Sequence, residues 1–215
     1  MSVIAVIDYG SSNLRSVAKA IEHVAAPGTA VTVTADSATI LGADRVVFPG
    51  QGAIGDCMQR LAQAELIDVL RRALAEKPFL GICLGLQSLM TRSDEDGGTA
   101  CLDVIPGTVR RFPADKIDPD TGIRFKIPHM GWNEVHWQQE HALTAGIASG
   151  SRFYFVHSYH VVPDDDSAVA ARTGYVENFV SAVARDNIFA TQFHPEKSQR
   201  AGLALLENFC RWDCG

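Results

Sequence analysis

The sequence has 215 residues, 47% of them hydrophobic, and a formal net charge of −6 at pH 7. This length and apolar content predict one domain, spanning residues 1–215, with a sizeable core. The excess of acidic residues gives no electrostatic reason to expect nucleic acid or a membrane as a partner. No apolar run reaches transmembrane length, and the first residues lack the basic region of a secretory signal, so we expect a cytoplasmic protein.

Cysteine usage excludes two further classes of protein. The chain has five cysteines, which are Cys57, Cys83, Cys101, Cys210 and Cys214. An odd number without any C-x-x-C pair argues against a disulfide framework and against structural zinc. We therefore expect neither a metal nor an organic cofactor, and free thiols are typical of the cytosol.

The first ninety residues alternate apolar, β-branched runs with helical patterns. Strands are predicted over residues 3–7, 31–34, 45–48 and 78–82. Helices are predicted from Leu14, capped by Ser11, Ser12 or Asn13, then as one long helix that includes Met58 and Leu74, and over residues 84–90. This alternation predicts a parallel sheet with right-handed crossovers and helices on both faces.

Strands and turns dominate the second half of the chain. Residues 110–126 mix charges with prolines and are predicted to form an exposed loop. Aromatic strand-like residues follow at 153–160, a last strand at 188–193, and a closing helix at 201–212. The fold class is therefore α/β, a single doubly wound domain whose mostly parallel sheet becomes mixed.

The segment Gly-Ile-Cys-Leu-Gly at 81–85 lies where a predicted strand meets a predicted helix. It repeats the layout of G-x-S-x-G hydrolases with sulfur in place of oxygen, and it makes Cys83 a candidate nucleophile. The helix N-terminus favours a thiolate, and the Leu84 N–H is placed to meet an oxyanion. A lone cysteine is more often a core residue, but these surroundings favour catalysis.

A candidate base lies at the end of the last predicted strand. His194 and Glu196 are two residues apart in an extended segment, so their side chains are expected to point the same way. Pro195 restrains the backbone between them. A carboxylate that orients an imidazole completes a catalytic triad with Cys83. The alternative is an ordinary surface His–Glu pair.

A glycine-rich turn ends the third predicted strand, where residues 49–53 read Pro-Gly-Gln-Gly-Ala. Glycines let backbone amides approach a ligand closely, so Gly50, Gln51 and Gly52 are candidates for a second oxyanion donor. The segment lacks the Gly-Lys-Ser/Thr of a phosphate loop. An ordinary strand-to-helix turn is the alternative.

These segments, in this order, resemble the class I (triad) glutamine amidotransferase family along nearly the whole chain. Residues 81–87 (Gly-Ile-Cys-Leu-Gly-Leu-Gln) and 192–196 (Gln-Phe-His-Pro-Glu) carry the resemblance. Residues 8–10, 128–133 and 194–198 are similar to the glutaminase subunits of imidazole glycerol phosphate synthases, which belong to histidine biosynthesis.

The resemblance implies that the substrate is L-glutamine. Cys83 would attack its side-chain amide, and His194, oriented by Glu196, would protonate the departing ammonia and then activate water. Gln87, Ser158 and Tyr159 would contact the glutamine.

The resemblance also implies a partner, a (β/α)8-barrel cyclase subunit that receives the ammonia. Ser12, Asn13, Trp132 and Asn133 would lie toward this partner, although Trp132 could equally be a core residue. Ser12 and Gln51 depart from residues common in the family. We therefore hypothesise that Gln51 alters how activity is coupled to the partner, and unchanged partner-dependent activation in Gln51→Val would remove this hypothesis.

Three alternatives remain open at this point. One is a glutaminase subunit for anthranilate or pyridoxal phosphate synthesis. Another is a stand-alone cysteine hydrolase of γ-glutamyl compounds, which would turn over fully without a partner. The third is a non-catalytic binding module that keeps the fold.

Overall fold

Strands and helices alternate in the first half of the structure, and strands dominate the second half. The computed structural model describes residues 2–11, 13–119 and 122–214. Within these residues the α-helices are α1 (Leu14–Val24), α2 (Ser37–Gly42), α3 (Ile54–Gln63), α4 (Ile67–Glu76), α5 (Leu84–Gln87) and α6 (Gln199–Arg211). Short 3₁₀ helices cover Glu95–Gly97, Ala142–Thr144, Asp166–Ala168 and Pro195–Lys197.

The strands belong to a twisted mixed sheet. In the described residues they are β1 (Val3–Ile7), β2 (Ala30–Thr34), β3 (Arg45–Gly50), β4 (Phe79–Cys83), β5 (Arg92–Ser93), β6 (Thr99–Ala100), β7 (Gly107–Arg111), β8 (His129–Trp137), β9 (Ser151–His157), β10 (Tyr159–Pro163), β11 (Val169–Gly174), β12 (Asn178–Arg185) and β13 (Ile188–Thr191). Neighbours follow the order β2-β1-β3-β4-β13-β12-β10-β7-β5-β6, with β11, β8 and β9 branching from β12.

The five strands β2, β1, β3, β4 and β13 are parallel to one another. Their carboxyl ends meet at one edge, where Gly50 lies opposite Cys83 and Thr191 opposite Ile82. Antiparallel pairing begins at β12, which runs against β13. Open parallel sheets place their ligands at the carboxyl ends of the strands, so this edge is where a site is expected.

Helices cover both faces of the parallel strands. One face packs strand residues such as Val46 and Phe48 against apolar residues of α2, α3 and α4. The other packs Val47 and its neighbours against α1 and α6, and extends to aromatic residues of β9 such as Phe153. Because successive strand residues face opposite sides, each apolar strand feeds both cores. The predicted α/β fold with a mixed sheet is confirmed.

The prediction of one long helix after the third strand is wrong, because the segment forms two helices, α3 and α4. Glu65 has a left-handed φ of 56° between them. The Leu66 N–H donates to the Leu61 carbonyl at 2.9 Å, and the Glu65 N–H donates to Ala62 at 3.1 Å. These two bonds form a Schellman motif that ends α3. A motif of this kind usually has glycine where Glu65 lies, so the sequence carried no signal for the break.

The helix after Cys83 is shorter than predicted. The sequence pattern predicts it over residues 84–90, but α5 ends at Gln87. The Ser88 carbonyl accepts a bond from the Leu102 N–H at 2.8 Å, and Leu89 accepts one from Val104 at 2.9 Å. The Leu89 and Met90 N–H groups donate three residues back, to Leu86 at 3.1 Å and Gln87 at 3.2 Å, so α-helical bonding stops after one turn where the returning chain makes contact. The expected helix-dipole effect on Cys83 is limited to one turn.

Two smaller differences concern other ends of elements. Helix α2 was not predicted, although Asp36 caps it by accepting the Thr39 N–H at 2.8 Å. At α1, Asn13 occupies the capping position without a side-chain bond to the helix. Among the described residues, no helix combines the length and apolar character needed to cross a membrane.

Candidate active site

Cys83 lies at the last position of β4 in a strained backbone conformation, with φ 56° and ψ −103°. A non-glycine residue with positive φ is uncommon and is typical of functional turns. The glycines on either side permit this turn. A Cβ atom on Gly85 would lie 2.0 Å from the Phe48 carbonyl oxygen, and one on Gly81 would lie 2.9 Å from Gly85. The local sequence therefore allows α5 to pack directly against β3.

His194 and Glu196 form a buried pair in the turn that follows β13. The His194 Nδ1 atom lies 2.9 Å from Glu196 Oε1, and neither side chain is exposed to solvent. The backbone N–H of His194 donates to the Tyr154 carbonyl at 2.9 Å. Ser198 Oγ donates to the His194 carbonyl at 2.6 Å. The backbone on both sides of the imidazole is therefore held in place.

The electrostatics of His194 depend on its two neighbours. Burial by itself lowers the pKa of His194. The charge and hydrogen-bonding capacity of Cys83, followed by those of Glu196, outweigh this effect and raise the pKa to about 10. Since Nδ1 is bonded to Glu196, Nε2 is the nitrogen available to Cys83. The buried Nε2 atom is close enough to Cys83 for the thiol to affect its pKa, but it makes no bond of full hydrogen-bond geometry with the described residues. His194 is therefore favoured in its imidazolium form beside Cys83.

The candidate oxyanion residues lie next to the elbow. A Cβ atom on Gly50 would lie 2.6 Å from Tyr9 Oη and 2.7 Å from Leu84 Cβ, so only glycine fits this position. Gly52 has a φ of +100°, another conformation that favours glycine. Burial raises the pKa of Tyr9 well above its ordinary range, which keeps this phenol protonated beside the loop.

A cavity of about 700 Å³ opens over Cys83. The predicted site residues in its wall are Cys83, Leu84, His194, Gln51, Gly52, Gln87, Ser158 and Tyr159. Gly50 is buried beneath them and is not part of the wall. The sheet edge therefore brings together the residues predicted for the nucleophile, base, oxyanion and substrate.

Two polar residues at this site were missed by sequence reasoning. Gln192 is fully buried and its Nε2 lies 3.6 Å from Cys83 Sγ. Its place two residues before His194, in the same motif, was the available signal. Glu95 lines the cavity and accepts the Ile54 N–H at 2.9 Å, and burial raises its pKa. No sequence motif marked Glu95.

The four predicted partner residues have different surroundings. Trp132 is 37% exposed, so the core alternative is wrong for it. Asn133 donates to the Gly174 carbonyl at 2.8 Å. Asn13 is buried, and its side-chain amide has no hydrogen-bond partner among the described residues. Ser12 lies outside the described residues.

Metal binding has no structural support in the part of the chain that the structure describes. No group of three or more His, Cys, Asp or Glu side chains there could hold a metal ion. The cavity groups are instead a thiol, an imidazole, carboxylates and amides. This set suits acyl transfer through a cysteine.

Comparison with known proteins agrees with this geometry. The family model for class-I glutamine amidotransferases matches residues 5–212. The chain therefore belongs to the class-I glutamine amidotransferase family. Among its relatives is the imidazole glycerol phosphate synthase subunit HisH of Methylococcus capsulatus, which is 58% identical over 99% of this chain and 98% of that protein. The subunit of the same name from Aromatoleum aromaticum is 56% identical, over 99% of both chains.

Solved structures share the fold at low sequence identity. A putative GMP synthase subunit from Thermoplasma acidophilum superimposes with a TM-score of 0.69 at 22% identity, covering 100% of this chain and 94% of that one. The glutaminase domain of Trypanosoma brucei CTPS, with bound acivicin, gives 0.62 at 18% identity, covering 99% of this chain and 95% of that one. These two likenesses concern the fold alone.

Proposed function

We propose that this chain is the glutaminase subunit of an imidazole glycerol phosphate synthase, acting in the cytoplasm. The observation that carries the proposal is the buried His194–Glu196 pair beside Cys83 at a strained elbow. The name shared by relatives that are 56% and 58% identical points to histidine biosynthesis rather than to anthranilate or pyridoxal phosphate synthesis.

In the proposed mechanism, the Cys83 thiolate attacks the side-chain carbonyl carbon of glutamine. The backbone N–H of Leu84, with an amide of the loop at Gly50 to Gly52, stabilises the oxyanion. The His194 imidazolium protonates the amide nitrogen, and ammonia leaves as the thioester forms. Neutral His194 then takes a proton from water, which attacks the thioester. Glutamate leaves and the thiolate and imidazolium return.

Glutamine recognition needs an acceptor for its ammonium group and a contact for its amide chain. Glu95 is the half-buried carboxylate in the cavity wall, and we assign it to the ammonium group of the substrate. Gln87, which is buried beside Tyr159, would contact the amide side of the substrate together with Ser158. These roles follow from the charge and position of each group relative to Cys83.

The ammonia must reach a second reaction before it is protonated in bulk water. An exposed apolar surface beside the cavity provides a place for the proposed cyclase subunit. Met130 is 62% exposed and Trp132 37% exposed on β8. Met130 lies opposite Val156, which is itself part of the cavity wall. Exposed apolar patches of this kind are typical of protein interfaces.

The experiment measures glutamate release from glutamine by the purified chain, alone and with the barrel cyclase and its phosphorylated ribulosyl aminoimidazole carboxamide substrate. We expect strong activation by the loaded cyclase, abolished in Cys83→Ala and retained in Cys214→Ala, which removes an exposed thiol instead. Equal activity without the cyclase would leave a cysteine amidase and remove ammonia delivery. Absence of Cys83-dependent glutamate release would remove the enzymatic proposal.

A further inference from the structure

Two buried histidines outside the proposed triad, His129 and His157, are linked to the cavity by hydrogen bonds whose direction is determined. The His157 Nδ1 atom lies 2.8 Å from the Tyr159 carbonyl oxygen. A carbonyl oxygen only accepts, so His157 Nδ1 carries the hydrogen. In a neutral ring Nε2 is then an acceptor, and it accepts from His129 Nδ1 at 3.1 Å.

The bonds of Asn133, at the other end of this series of hydrogen bonds, independently give the same donor-to-acceptor direction. Asn133 Nδ2 donates to the Gly174 carbonyl, and its Oδ1 accepts the Glu134 N–H at 2.8 Å. These two bonds fix the orientation of the amide. Its Nδ2 also lies 3.3 Å from His129 Nε2, which must therefore be the acceptor. A second proton on either ring would place donor against donor, so both histidines are held neutral.

The series of hydrogen bonds continues on the cavity side of Tyr159. The same carbonyl accepts Gln87 Nε2 at 3.2 Å. Gln87 Nε2 also lies 3.1 Å from Gln192 Oε1, so the other end of the Gln192 amide, Nε2, faces Cys83 Sγ at 3.6 Å. The orientation of each amide is set by its neighbour. The candidate substrate contact and the candidate nucleophile thus share one hydrogen-bonded network.

We propose that Gln192 and His157 are positioning residues of this enzyme. Gln192 donates a hydrogen bond to Cys83 Sγ. This bond favours the thiolate form of Cys83 and fixes where the sulfur points. His157 holds the Tyr159 carbonyl, which together with Gln192 sets the conformation of Gln87. The proposal deepens the proposed function, and it rests on that function for the roles of Cys83 and Gln87.

The Cys83 end is tested by alkylation with iodoacetamide, in which the thiolate displaces iodide. The rate at Cys83 is followed against pH by mass spectrometry in Gln192→Glu and Gln192→Met. Ionised glutamate still accepts from Gln87 but cannot donate to sulfur, and methionine does neither. We expect the midpoint of the alkylation profile to rise by about one pH unit in Gln192→Met, because one charge-assisted hydrogen bond is lost. It should rise by more in Gln192→Glu, because the new carboxylate also repels the thiolate.

A matched control is Gln139→Glu, since the Gln139 amide also donates to a main-chain carbonyl, that of Val169, but lies outside the cavity. Its alkylation profile is expected to match the wild type. A folded Gln192→Glu or Gln192→Met variant with the wild-type midpoint would overturn the role of Gln192. This assay contains neither glutamine nor partner, so it is independent of whether the wild type releases glutamate.

The role of His157 is tested by comparing a substitution that keeps a hydrogen-bond donor with one that removes it. Asparagine at position 157 carries a donor close to where Nδ1 lies, whereas leucine does not. We expect KM for glutamine to rise about tenfold or more in His157→Leu, and to return to within about threefold of wild type in His157→Asn, for the loss of one hydrogen bond. Equal KM values in the two variants would show that His157 only fills space. Failure of the wild type to release glutamate would instead contradict the proposed function.

Discussion

At the residue scale, the site depends on groups whose ordinary behaviour is changed by burial, by backbone strain and by charged or polar neighbours. Cys83 is held in a strained turn, and His194 is buried but retains its proton because Cys83 and Glu196 lie against it. Opposite charges at close distance outweigh the desolvation of the ring. The same Glu196 contact fixes which nitrogen faces the thiol.

Replacing Glu196 with glutamine removes the negative charge beside His194 but keeps the size of the side chain, so it tests the charge separately from packing. We expect glutamate release to fall by about two to four orders of magnitude, as when the carboxylate of a triad is neutralised. The pKa of His194 should fall as well, since Glu196 is one of the groups that raise it. Glutamate assays and NMR titration of labelled histidine measure the two effects.

The control is Glu134→Gln, which neutralises an exposed partner of His136 at 3.5 Å, also two residues away. Its glutamate release should match the wild type. Full activity in Glu196→Gln, with an unchanged His194 titration, would contradict the assigned role.

At the scale of elements, glycines allow backbone segments to pack in direct contact, and these contacts bring the functional segments together. Gly85 lets α5 touch β3, and Gly202 lets α6 touch the turn that carries His194. A Cβ atom on Gly202 would lie 1.9 Å from the Pro195 carbonyl oxygen. Helix α6 therefore supports the turn directly.

We expect Gly202→Ala to lower the free energy of unfolding by about 1–3 kcal/mol, as overpacked cores do, and to reduce glutamate release by moving the turn. Urea denaturation and the glutamate assay test both effects. Gly42→Ala is the matched control, because its added Cβ would have no neighbour within 4 Å. It should be neutral or slightly stabilising, since alanine favours the helix. Equal stability of both variants would show that the α6 contact can relax without cost.

At the scale of the whole molecule, buried histidines tie stability to pH. Burial lowers the pKa of His129 to about 4 and that of His157 to about 3, and it lowers those of His141 and His160 as well. In the unfolded chain a histidine titrates near about 6.5. Between these values the unfolded state binds protons that the native state does not, so stability falls as pH decreases. His194, with a raised pKa, is protonated in both states at the acid end of this range and adds little to the slope there.

We therefore expect the free energy of unfolding to decrease by about 1 kcal/mol or more from pH 6.5 to pH 5. Urea denaturation at several pH values measures it. The slope should be shallower in His157→Asn, which removes one of the titrating groups. A flat profile for the wild type over this range would show that the buried rings take up protons in the native state.

The sequence by itself determined the α/β class, the order of the parallel strands along the chain and the candidates Cys83, His194 and Glu196. Periodicity and glycine spacing are local properties, and a nucleophile elbow is encoded within five consecutive residues. The fold class and the family are confirmed, while the roles of the individual site residues stay predictions.

Only the tertiary structure decided which distant groups meet. The early end of α5 coincides with bonds that Leu102 and Val104 donate to Ser88 and Leu89, which a local pattern does not contain. The break at Glu65 is local, but no glycine marks its left-handed conformation. The contacts of Gln192 with Cys83 and of His157 with His129 join residues 109 and 28 positions apart in the chain, which the sheet brings together. Hydrogen-bond networks depend on atoms brought together across the fold, so spacing along the chain could not predict them.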